Sequence, residues 1–178
     1  AVLKGETEDF LPRTARIQWA LMLTLYCISH APALLILNIP GFEDRNFLLL
    51  FFLITVVQLS DVLQYVFGKL FGRHQVAPRV SPAKTWEGLI GGGLATVLVG
   101  TGLYWITPFT PVEAAALALA IVLAGFAGGL VLSAVKRSLG AKDWGMMIEG
   151  HGGALDRMDS VSFAAPVFFH LVNYFFAA

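Results

Sequence analysis

Apolar residues in this chain come in long unbroken runs rather than in alternation. Five stretches, residues 17–39, 46–71, 86–106, 112–135 and 161–178, are apolar almost throughout. Spanning a bilayer takes roughly 20 such residues in a helix, and the last stretch sits at the short limit. No strand-period alternation separated by turns is visible, so a transmembrane β-barrel is not expected. A backbone inside hydrocarbon must satisfy its own hydrogen bonds, and helices do so. The pattern predicts an all-α, polytopic integral membrane protein with about five transmembrane helices.

Composition supports the pattern. The chain is 57% hydrophobic and only 13% charged, against about 25% charged in soluble domains, and its mean hydropathy is +0.72. Net charge is zero, which argues neither for nor against a nucleic-acid partner. The lone cysteine, Cys27, lies in an apolar run and reads as a small hydrophobe. The chain starts at Ala1, and its first residues lack the order of a signal peptide. It is expected to be the C-terminal part of a longer protein, forming one helical domain over 1–178.

Lys and Arg set the expected orientation. With the N-terminus inside, the inner segments hold Lys4, Arg13, Arg16, Lys69, Arg73, Arg79, Lys84, Lys136, Arg137, Lys142 and Arg157, and the outer ones only Arg45. Eleven against one places the segments 72–85 and 142–160 on the cytoplasmic side of the cell (inner) membrane. The glycines cluster, as Gly91-Gly92-Gly93 and as Gly125, Gly128 and Gly129, which permits close helix packing.

Nearly all polar information lies in two stretches around those segments, residues 59–92 and 133–159. Asp61 falls inside an apolar stretch, with Gln64, Tyr65 and Gly68 on its face at i+3, i+4 and i+7. A carboxylate at that depth costs about 2.5–3.5 kcal/mol on insertion scales, so it is expected to face a polar cavity, or else to pair with a lysine. "SPAKTWEG" reads as a turn and a helix start, with Pro82 resisting helix and Thr85 capping. Ser81, Lys84 and Thr85 there suit a phosphate, although a capped helix with a snorkelling lysine looks the same.

The second segment is denser. Ser133 and Arg137 stand at i, i+4 beside Lys136, followed by Lys142-Asp143, Gly150-His151-Gly152-Gly153 and Asp156-Arg157-Met158-Asp159. Asp156 and Asp159, at i, i+3, can face one way on an opening helix. Paired hard oxygen donors beside cations suit Mg²⁺ carrying phosphates. Each piece has a plain alternative: membrane-edge cations contact headgroups, and His30 or His170 in apolar helices are expected to be packed residues.

Taken together, "SAVKRSLGAKDWGMMIEGHGGALDRMD", residues 133–159, closely resembles the signature of the CTP:phosphatidate cytidylyltransferases, the CDP-diacylglycerol synthases. "SPAKTWEG" and the group Asp61, Tyr65, Gly68, Lys69 resemble that family's upstream pattern, and the likeness covers residues 59–162. It implies transfer of a cytidylyl group from CTP to phosphatidate, giving CDP-diacylglycerol and pyrophosphate in phospholipid biosynthesis. It further implies Mg²⁺ on Asp156, with Asp61, Asp143 and Asp159 as further ligands or supporting groups. Lys136, Arg137, Lys142 and Arg157 would neutralise phosphates, Ser81, Lys84, Thr85 and Ser133 would add substrate contacts, and His151 would orient a phosphate oxygen or the leaving group. CTP, phosphatidate and membrane lipids are the partners expected, with no nucleic acid, and a homodimer.

One position departs from that pattern. Where the family reads Gly-Asp-Leu four residues before the signature serine, this chain reads Gly128-Gly129-Leu130. The missing carboxylate implies weakened metal binding, a substitute ligand, or an inactivated form. Three other readings follow: a non-catalytic lipid- or nucleotide-binding relative, a CTP-dependent enzyme for another lipid phosphate, and a transporter using Asp61. The last predicts paired discontinuous halves, which the sequence does not show.

Overall fold

A computed structural model describes residues 9–140 and 154–177, without the side chains of 154–157. The first rod runs over Phe10–Ile36: α1 (Phe10–Leu21), a π-helical turn (Met22–Cys27), α2 (Ile28–Ala33) and a closing 3₁₀ turn. Asn46 then ties the connection, its Nδ2 donating to the carbonyls of Leu37 at 2.6 Å and Leu35 at 3.2 Å. The long α3 (Phe47–Phe71) follows, then strands β1 (Gln75–Ala77) and β2 (Ser81–Thr85), and α4 (Trp86–Gly102). The chain finishes with α5 (Pro111–Ser138) and α6 (Ala154–Phe176).

The described residues are mostly helical, as an all-α membrane protein requires, and one short hairpin is added between α3 and α4. β1 and β2 form an antiparallel hairpin, with Gln75 opposite Thr85 and Ala77 opposite Ser81. A residue before proline is pushed out of the helical region. Ala77-Pro78 and Ser81-Pro82 impose this twice, so "SPAKT" extends rather than turning. The predicted helix start survives one step later: the Thr85 hydroxyl accepts from the Gly88 N–H at 3.1 Å and caps α4. α5 opens on a capping box, Thr110 with Glu113, and Pro111 in its first turn.

Three of the described helices, Phe10–Ile36, Phe47–Phe71 and Pro111–Ser138, are long and apolar enough to cross a membrane. Five were expected. α4 has 17 residues, roughly 25 Å at 1.5 Å per residue against a hydrocarbon core of about 30 Å. α6 is long enough at 23 residues but opens through Asp156, Arg157 and Asp159.

The core lies where α3, α5 and α6 meet, with Phe52, Leu53, Ile121 and Phe168 fully buried. α4 joins through the backbone. A Cβ at Gly92 would strike the backbone of Gln64 on α3, and one at Gly100 would lie 2.7 Å from the Ala118 Cβ on α5. Lipid is as apolar as leucine, so helices there associate through such close approach rather than through a hydrophobic drive. His30 is packed as expected: it is buried, its Nδ1 lies 2.7 Å from the Tyr26 carbonyl oxygen, and its ring meets Tyr26 and Phe169.

Candidate functional site

The helix ends beside the hairpin leave a cavity of about 470 Å³ between α3, β2, α5 and the start of α6. Asp61, Gln64 and Tyr65 line it from one face of α3, the periodicity the sequence predicted. The hairpin brings Ser81, Lys84 and Thr85, and α6 brings Asp159 and Ser160. Gly68, Gly72 and Gly88 let the hairpin lie this close to α3: a Cβ at Gly68 would stand 3.0 Å from Thr85 Oγ1.

Asp61 and Asp159 are joined by one hydroxyl. Ser160 Oγ lies 3.0 Å from Asp61 Oδ1 and 3.4 Å from Asp159 Oδ1, and the Ser160 N–H donates to Asp159 Oδ1 at 2.7 Å. Lys84 faces the pair. Its Nζ donates to the Phe126 carbonyl at 3.2 Å and stands 4.6 Å from the Phe126 ring centroid, within cation–π range. Burial pushes its ammonium below the usual lysine range, while the negative charges of Asp61 and Asp159 work the other way. Lys136 is near enough to add to the effect of burial.

Two carboxylates facing a common hydroxyl are hard oxygen donors of the class Mg²⁺ takes. The donor set fits such an ion, although no group of three acidic, His or Cys side chains converges among the described residues.

The other expected residues divide into groups. The Ser133 hydroxyl turns back on its own helix, donating to the Gly129 carbonyl at 2.6 Å. Arg137 is exposed, and its Nε donates to the Val80 carbonyl of the hairpin turn at 3.4 Å. Asp156 and Arg157 belong to the first turns of α6 by backbone, their side chains lying outside the described atoms. Lys142, Asp143 and His151 lie outside the described residues.

Sequence reasoning missed Ser160, the Phe126 anchor for Lys84, and the Glu87 latch. Glu87 accepts from the N–H groups of Arg73 and His74 at 3.1 and 3.2 Å and meets His74 Nδ1 at 2.6 Å, pinning the hairpin base to α4. An acidic residue in the first turn of α4 was the available signal for Glu87. Nothing local marks Ser160, whose partner lies 99 residues away.

Gly129 faces this cluster. A Cβ there would meet Lys84 Nζ first and then Ser160 Oγ at 3.8 Å, whereas a Cβ at Gly128 would lie 2.5 Å from the Phe163 Cβ. Gly128 is thus the helix-packing glycine, and Gly129 looks into the polar site.

The cavity sets a lysine and paired carboxylates among apolar helices of membrane-spanning length, as a membrane protein would. The pattern of the cytidylyltransferase family matches residues 4–175, and the chain belongs to that family. It is 42% identical over 177 residues to the Escherichia coli (strain K12) protein named "Uncharacterized protein YnbB", covering 97% of this chain and 58% of the relative. It is 46% identical over 121 residues to the phosphatidate cytidylyltransferase of Mycobacterium leprae, covering 66% of this chain and 38% of the relative. The Staphylococcus saprophyticus phosphatidate cytidylyltransferase is 39% identical over 127 residues, 70% of this chain and 48% of the relative. The chain spans about half the length of the curated relatives it matches.

Proposed function

We propose that the protein transfers a cytidylyl group from CTP to phosphatidate, releasing pyrophosphate and forming CDP-diacylglycerol. The observation that carries this reading is the meeting of Asp61, Lys84 and Asp159, from three distant elements, in one cavity among membrane-length helices. A lipid phosphate reaches such a cavity from the bilayer and a nucleotide from the aqueous side. The Lys and Arg asymmetry supports the cytoplasm as that side.

In the reaction a phosphatidate oxygen attacks the α-phosphorus of CTP, a new P–O bond forms, the bond to the β-phosphate bridge breaks, and pyrophosphate departs. The phosphate monoester is already ionised near neutral pH, so the protein's contribution is placement and charge. Lys84 Nζ, held by the Phe126 carbonyl, is positioned to donate to a phosphate oxygen, and the Ser81 and Thr85 hydroxyls supply neighbouring donors. Lys136 and Arg137 add positive potential at the rim. Asp61 and Asp159 would hold Mg²⁺, with Asp156 and Asp143 as the further carboxylates that the motif supplies. Bound there, the ion would neutralise phosphate charge and polarise the reacting centre.

The test is pyrophosphate release by purified protein in lipid. It should require CTP, phosphatidate and Mg²⁺ together, and release that ignores phosphatidate would refute the assignment. Gly129 supports a second reading, a non-catalytic relative on the same fold. That reading expects nucleotide or lipid binding without turnover.

A further inference from the structure

A second cavity, of about 720 Å³, lies on the far side of the Tyr65–Ala83–Thr85 wall, under the hairpin and beside the end of α3. Its charge differs from that of the first. Two carboxylates and one ammonium line the first cavity, Asp61 and Asp159 against Lys84. Lys69 and Arg73 line the second, with no carboxylate among the described residues. The nearby Glu87 is committed to His74 and to two backbone N–H groups. The Arg73 side chain makes no hydrogen bond or ion pair among the described residues, and the Lys69 ammonium only stands 6.0 Å from the Tyr65 ring centroid. The carbonyl end of α3 contributes about half a negative charge, too little to balance two cations.

A cavity with two carboxylates takes an anion only with cationic help, whereas one with two uncommitted cations takes it directly. We propose that the second cavity is a metal-independent binding site for a phosphate group, held by Arg73 as a fork and Lys69 as a point charge. The shared wall would bring that phosphate next to the Asp61–Lys84–Asp159 cluster. The inference draws on the cytidylyltransferase reading only for the source of the phosphate, which is either a membrane lipid headgroup or a soluble polyphosphate.

The experiment uses EDTA throughout, with two probes. Pyrophosphate is titrated calorimetrically into the detergent-solubilised protein, and phosphatidate retention is measured in phosphatidylcholine nanodiscs with and without that lipid. Wild type should bind at least one probe, and the probe retained identifies the source. Lys69→Gln/Arg73→Gln should weaken that binding about tenfold or more, the scale of losing charge-assisted contacts. Both side chains are exposed, so the fold should persist, and Lys69→Arg/Arg73→Lys should retain part of the binding. Asp61→Asn should not weaken it, nor should Arg16→Gln on α1. Absence of metal-free binding of both probes, or an equal loss in Arg16→Gln, would overturn the site. Failure of CTP-dependent pyrophosphate release would instead strike the catalytic assignment and leave this site standing.

Discussion

Gly129→Asp separates an impaired enzyme from a packing scaffold. The new Cβ would meet Lys84 Nζ, the far end of a flexible side chain, with Lys84 Cε at 3.5 Å and Ser160 Oγ at 3.8 Å and no backbone atom among its nearest contacts. Lys84 can swing toward the cavity it already lines, so the steric cost is small. The added carboxylate gains an ammonium partner, a charge-assisted contact worth about 1.5–3 kcal/mol, and meets repulsion from Asp61 and Asp159. These terms largely cancel without metal, so thermal stability should change by no more than about 1–2 kcal/mol. With Mg²⁺ the repulsion becomes coordination, and a further hard ligand should raise turnover at least about tenfold, equivalent to roughly 1.4 kcal/mol of barrier. The neighbouring Gly128→Ala is the contrast: its Cβ would press on Phe163 at 2.5 Å, overpacking that costs about 1–3 kcal/mol. Mg²⁺-titrated pyrophosphate release and thermal unfolding of the two variants are the assays. A folded Gly129→Asp protein with no gain in Mg²⁺-dependent turnover would refute the reasoning and favour the non-catalytic relative.

Other expectations concern single links. Asp156→Asn should sharply reduce Mg²⁺-dependent CTP binding with little change in folding, and Lys4→Ala should not; equal effects would mean only generic anion attraction. Ser160→Ala removes the hydroxyl shared by Asp61 and Asp159, so Mn²⁺ affinity, followed by spin resonance, should change with it; an unchanged affinity would place the metal elsewhere. In a Cys27→Ser background, Thr110→Cys should react with an impermeant thiol reagent in intact cells and Gly150→Cys should not, and the reverse pattern would invert the orientation. Thr110→Ala breaks the α5 capping box and should lower stability by about 1 kcal/mol, read by thermal unfolding.

Much of the helical framework was legible because lipid exposure writes itself into composition. Residues 46–71 were expected to cross, and α3 spans Phe47–Phe71; residues 112–135 lie within α5, extended to Pro111 and Ser138 by a cap and a cationic last turn. The family, and the side of α3 that carries Asp61, Gln64 and Tyr65, were equally readable, the first from motif spacing and the second from helical period. The hairpin was not, because a short extended segment carries too few residues for a period and is held by pairing with residues 75–77 and by the glycines beneath it. Nor could spacing reveal that Ser160 bridges Asp61 to Asp159, or that of two adjacent glycines one packs on Phe163 while the other opens onto Lys84. Adjacent helical residues point about 100° apart, and which of the two meets a neighbour depends on how α5 is rotated against α6 and the hairpin. Local sequence sets where a helix begins, ends and is greasy; its rotation is set by contacts with segments far away in the chain, and here that rotation aims position 129 at the charged site.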